Sequence, residues 1–145
     1  MYKYKKIKNL INSNPSESFI LIGDDTENDP SIYLQIKKEF PNQIESIYIR
    51  AIKNLQQPES ITKFFTAFEV AAKEFELGRM SLQQTLSLGK DLLLLKEMKL
   101  LIPQFAYCPK SEDEFTEIAP LSTWTVYKAL RIKILKYCSI QIKQD

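Results

Sequence analysis

Histidine is absent from this 145-residue chain. That excludes a Ser-His-Asp triad, a histidine general base and a His-ligated zinc. Glycine is scarce, at three residues. Cysteine is limited to Cys108 and Cys138, far apart and outside any CxxC pattern. They read as reduced thiols of a cytosolic protein, with one disulfide as the alternative for an exported chain. Long apolar runs are missing too. The greasiest stretch, Leu92–Leu95, is broken by Lys96 and Lys99, whereas a bilayer span needs about 20 apolar residues. Met1–Ile11 is lysine-rich and does not read as a signal sequence. Charge of one sign is not in excess: 20 Lys and Arg against 18 Asp and Glu give +2, which argues against nucleic-acid binding as a main role. The expectation is a cytoplasmic protein without a transmembrane segment, with peripheral membrane contact left open.

The composition that remains, 44% hydrophobic and 26% charged, is that of an ordinary globular domain. Tyr4, Ile7, Leu10 and Ile11 at helical spacing predict a basic amphipathic helix over 2–11. Phe19-Ile20-Leu21-Ile22, bounded by turn residues, predicts a buried parallel strand. Asp29-Pro30 signals a helix start with Asp29 as cap, and the helix runs to about Phe40. Ile44–Arg50 reads as a second strand and Ile61–Phe65 as a short third. Thr66 caps a helix ending at Gly78. Ser81 with Gln84 has capping-box spacing and opens one long helix to Leu101. Leu92–Leu95 is expected to be buried in it. A loop over 104–121 carries Glu112, Asp113 and Glu114. A last helix spans about 123–139, with Trp124, Tyr127, Leu130, Ile134 and Cys138 on its packed face. The expected fold class is α/β: a parallel sheet of two or three strands with flanking helices and a helical C-terminal extension. So thin a sheet predicts an exposed edge or a partner covering it.

The segment that carries chemistry is Phe19–Tyr33, with Asp24, Asp25 and Asp29 on the loop leaving the carboxyl end of the first strand. Open α/β sheets bind ligands at that edge. Two carboxylates there, Asp24 and Asp29, suit Mg²⁺, which keeps several waters and neutralises phosphate oxygens. The bland alternative is an acidic turn and helix cap.

Phe19-Ile-Leu-Ile-Gly-Asp-Asp-Thr-Glu-Asn-Asp-Pro-Ser-Ile-Tyr33, followed by Phe40-Pro41 and Ile47-Tyr48-Ile49-Arg50, resembles the fourth motif of the actin-patch-protein phosphatidate phosphatase catalytic domain. That domain is a branch of the haloacid-dehalogenase superfamily. The likeness covers about residues 2–80, most closely 16–50, and leaves 81–145 as a helical extension of unknown role. It implies a haloacid-dehalogenase-like partial sheet, Mg²⁺ as cofactor, and phosphatidate or another phosphate ester as substrate. Asp24 and Asp29 correspond to the metal-side acids. Lys3 falls near the phosphate-stabilising lysine, although Lys5, Lys6 and Lys8 crowd the same helix. Read without the resemblance, these lysines are a solvated face or touch anionic lipid headgroups. Arg50 is a structural ion-pair partner or a phosphate contact. Asp25 stands where the family has Ser, and either strengthens cation binding or repels phosphate.

The main departure is a missing group. The family nucleophile lies in an Asp-x-Asp motif on an earlier strand. Asp24-Asp25-Thr26 mimics only its tail, because the nucleophile position would be Ile22, which cannot form an aspartyl-phosphate. The nucleophile strand is expected before Met1, and no turnover is expected from this chain alone. Three readings follow. One is a split phosphatase completed by a separate N-terminal half. The second is a non-catalytic relict acting as an interaction module, monomeric or homo-oligomeric. The third is a small α/β acidic-loop binding module.

Overall fold

A computed structural model describes residues 2–118 and 121–141. The chain is α/β. Its elements are α1 (Tyr2–Ser13), β1 (Phe19–Asp24), α2 (Asp29–Glu39), β2 (Ile44–Arg50), β3 (Thr62–Phe64), α3 (Ala67–Glu76), α4 (Leu82–Leu94), α5 (Met98–Leu101), a 3-10 turn (Glu112–Glu114) and α6 (Leu121–Gln141). They fall into two compact units, Met1–Lys63 and Phe64–Asp145.

In the first unit β1 and β2 run parallel, with Leu21 beside Ile47 and Gly23 beside Ile49. The sheet order is β1-β2-β3, so β2 is central and β1 is an end strand. The apolar run of β2 is buried at Ile47, Tyr48 and Ile49. Leu21, Ile44, Ile47 and Ile49 form one core with Ile11 of α1 and Tyr33 and Ile36 of α2. Strand side chains alternate between faces, so Ile20 and Ile22 point the other way and are 40% and 54% exposed. The expectation of a fully buried first strand is therefore corrected: an end strand covered on one face hides only alternate residues. Leu10, expected inward, is exposed. Asn28, not Asp29, is the N-cap of α2, and Asp29-Pro30 open its first turn.

The second unit is helical. Thr66 and Glu69 close a capping box on α3, and Ser81 and Gln84 close one on α4. Gly78 takes a φ of 77° just past α3, the left-handed conformation that favours glycine. Gly89 lets three helices approach. A Cβ there would overlap Val126 of α6 and lie 2.8 Å from the Phe68 ring of α3. Phe65, Phe68, Phe115 and Tyr127 share an aromatic core, and the Arg131 guanidinium lies 4.2 Å from the Tyr127 ring centroid.

Three expectations are corrected in this unit. The long helix to Leu101 stops at Leu94, with α5 starting afresh at Met98. The end is fixed from outside, because Lys133 of α6 donates its ammonium to the carbonyls of Leu92, Leu93 and Leu95 at 3.2, 2.7 and 2.6 Å. Leu92 O also accepts from Leu95 N–H at 3.3 Å, and a helix end leaves its last carbonyls short of intrahelical donors. Leu92–Leu95 is not a buried run, since Leu94 is 77% exposed. Cys108 and Cys138 form a disulfide rather than two free thiols. It ties the 102–118 segment to α6. Closing a separation of 30 residues is worth about 3–4 kcal/mol in the chain-entropy picture. Trp124, expected in the core, is partly exposed, while Tyr127, Leu130, Ile134 and Cys138 are buried.

Candidate active site

The loop leaving β1 splits its two adjacent acids between two tasks. Asp25 turns inward and is 2% exposed. Its Oδ1 accepts from the backbone N–H groups of Ile52 and Lys53 at 2.8 and 2.7 Å, and its Oδ2 from Leu55 N–H at 2.8 Å. Asn54, at φ 59°, supplies the left-handed step that curls this segment around the carboxylate. Both oxygens of Asp25 thus serve the loop after β2. Asp25 is an architectural acid, buried and bonded through both oxygens to the backbone of that loop.

Asp24 turns outward. Its Oδ1 accepts from Thr26 N–H at 2.8 Å and from the Thr26 hydroxyl, an Asx-type turn. Those bonds, the hydroxyl first, hold the Asp24 carboxyl below the usual carboxylate range. Both fall on one oxygen, which leaves Oδ2 outside the turn.

Asp29 occupies the first turn of α2 and is 6% exposed. A carboxylate there is favoured by the helix dipole. Lys3, in the first turn of α1, donates to Asp29 Oδ1. That bond raises the lysine above its ordinary value. The Lys3 charge also contributes to holding Asp24 down, so one ammonium acts on both acids. Gly23 makes the arrangement possible. A Cβ there would overlap the Asp29 carboxylate and lie 2.9 Å from the Tyr33 hydroxyl. Tyr33 anchors the start of α2 to β1 by donating to Ile22 O at 3.0 Å. Burial pushes its phenol pKa up.

The structure brings Lys3 into contact with Asp29 and into electrostatic range of Asp24, at the carboxyl end of β1. Sequence reasoning missed Gly23, Thr26 and Tyr33. The Asp-x-Thr spacing signals the turn at Asp24. Gly23 and Tyr33 matter through a close approach that no spacing rule reports. Among the described residues no group of three or more His, Cys, Asp or Glu is arranged to hold a metal. The cation ligands on offer are two carboxylates. That set fits Mg²⁺, which takes one or two carboxylates and fills its remaining positions with water and phosphate oxygens.

Residues 1–51 match the family model of the catalytic domain of phosphatidate phosphatase APP1. They correspond to part of that domain. A stretch of 52 residues is 42% identical to phosphatidate phosphatase APP1 of Saccharomyces cerevisiae; it is 36% of this chain and 9% of the yeast protein. No solved structure matches. The matched residues comprise α1, β1, α2 and β2, the elements that hold Lys3, Asp24 and Asp29. Among the described residues no helix is long and apolar enough to cross a membrane.

Proposed function

We propose that α1 through β2 form the metal-side half of a phosphatidate phosphatase-type active site, on a haloacid-dehalogenase-like sheet. The substrate would be phosphatidate or another phosphate monoester. Asp24 and Asp29 would hold Mg²⁺, which when bound neutralises phosphate oxygens. Lys3 contributes a fixed positive charge beside them. The observation that carries the reading is the Lys3–Asp29 contact within range of Asp24, at the carboxyl end of a parallel strand.

The segment after β1 offers no Asp-x-Asp nucleophile, because the first position of such a motif would fall on Ile22, so the nucleophile would come from another strand. The place for it is the outer side of β1. That strand ends the sheet, its neighbouring face exposes Ile20 and Ile22, and it has none of the lysine or proline that usually guards a sheet edge. A strand added there would deliver its own carboxyl end next to Asp24. The supplier is a separate N-terminal half.

A second reading, a relict interaction module, is favoured by the ammonium of Lys3, which already neutralises Asp29 without a cation. One pair of measurements separates the two. The purified chain is assayed for Mg²⁺-dependent hydrolysis of p-nitrophenyl phosphate and phosphatidate, and its melting temperature is followed with Mg²⁺. The half-site reading expects no turnover, and a rise of several degrees at millimolar Mg²⁺ that Asp24→Asn abolishes. No shift with Mg²⁺ would leave the relict. Turnover lost in Asp24→Asn would overturn the half-site reading, because an acid within these residues would then serve as nucleophile.

A further inference from the structure

α1 carries four lysines and no acid, and it uses them in two ways. Lys3 is paired with Asp29. Lys8 donates to Glu39 at 2.8 Å and to the Tyr4 hydroxyl at 3.2 Å, and that hydroxyl donates to Glu39 at 2.6 Å. Both of these lysines reach toward α2. Lys5 and Lys6 are exposed on the rest of the helix, and among the described residues neither has a carboxylate partner. Two large side chains flank them in the open: Tyr2 at 76% and Leu10 at 55% exposure. The Lys6 ammonium lies 5.3 Å from the Tyr2 ring centroid. The packed side of the same helix is apolar, with Ile11 buried and Tyr4 and Ile7 against the core.

We infer that the outer face of α1, formed by Tyr2, Lys5, Lys6 and Leu10, docks on an anionic lipid bilayer. Charge complementarity carries the choice of partner. The face is positive with no acid of its own, and its aromatic and aliphatic tips suit the headgroup boundary, where such side chains settle with lysines around them. The geometry gives the docking a purpose. Tyr2, Lys5 and Lys6 point outward from the helical turn whose Lys3 points inward to Asp29, so docking sets the bilayer surface beside the candidate site. A lipid phosphate could then be met in the plane of the membrane. The docking stands apart from the phosphatase reading, because it requires neither metal nor turnover.

The test is co-sedimentation of the full chain with phosphatidylcholine vesicles, with and without phosphatidylserine, at low and high salt. Binding is expected only with the anionic lipid, and it should weaken as salt rises. Lys5→Gln/Lys6→Gln should bind about thirtyfold less tightly, from roughly fivefold per lysine. Lys5→Glu/Lys6→Glu should abolish binding. Both lysines are exposed, so a melting curve like that of the wild type verifies that the variants fold. Equal sedimentation with phosphatidylcholine alone would overturn the inference. So would full binding by the lysine variants.

Discussion

Replacing Lys133 with Met tests whether the end of α4 is imposed by tertiary contact. The Lys133 ammonium is shared among the carbonyls of Leu92 and Leu93 of α4 and of its C-cap Leu95, two of the three within 2.7 Å. A hydrogen bond involving a charged group contributes about 1.5–3 kcal/mol net. Two good ones give roughly 3–4 kcal/mol at the lower end of that range. Ordering a lysine side chain offsets about 1.5–2 kcal/mol of it. A cation at a helix C-terminus restores about 0.3–1 kcal/mol. The expected loss in Lys133→Met is about 2 kcal/mol, or roughly 4–8 °C in melting temperature for a chain of this size. Urea denaturation followed by circular dichroism measures it. Lys133→Arg should recover only part, because a flat guanidinium cannot converge on three carbonyls as an ammonium does. A Met variant within about 0.5 kcal/mol of wild type, the range of ordinary surface substitutions, would refute the reasoning. The three bonds would then add nothing beyond what water supplies.

Two further outcomes follow from single side chains. Gly23→Ala should cost about 1–3 kcal/mol, as overpacking does, because its Cβ would push the Asp29 carboxylate off β1; an unchanged denaturation midpoint would contradict that contact. Glu69 is fully buried and accepts from Phe65 N–H, Thr66 N–H and the Thr66 hydroxyl, and burial pushes its carboxyl up to about 7 from 4.5. A folded pKa above the unfolded one gives stability that is fully present below pH 4.5 and lost as pH rises through about 7. Relative to Glu69→Gln, the wild type should therefore lose about 3 kcal/mol between pH 4.5 and 8. A wild type that gains on the variant over that interval would reverse the sign and refute the assignment.

Much of this structure is legible in the sequence because local chemistry decides it. β1 and β2 follow from β-branched runs bounded by turn residues. Ser81 with Gln84 makes the capping box that its spacing announces, and Gly78 takes the left-handed step expected of it. The residue types of the candidate site stand out in the sequence as acids after an apolar strand and lysines on the preceding helix, and the structure brings one pair of them, Lys3 and Asp29, into contact. The misreadings have a common origin: they are decided by residues distant in the chain. The end of α4 depends on Lys133, about forty residues on. The disulfide needs Cys138 to be carried to Cys108 by the packing of α6. The exposure of Ile20 and Ile22 depends on β1 being an end strand, which strand composition does not state. Asp25 looks like a third acid of a metal loop until the amides of Ile52, Lys53 and Leu55 are found around it.

The division between Asp24 and Asp25 puts two adjacent positions under different constraints. Removing the Asp25 carboxylate would strand three backbone amides, at about 1–3 kcal/mol for each that stays buried without a partner. A folded descendant therefore keeps Asp25 whether or not it handles phosphate. Asp24 closes only a local turn with Thr26, so little besides chemistry restrains it. In a lineage that has stopped turning over substrate, Asp24 is free to drift while its neighbour stays fixed. Comparing substitution at these two adjacent positions across diverged copies would separate selection for an active site from selection for a fold, with Asp25 as the built-in reference.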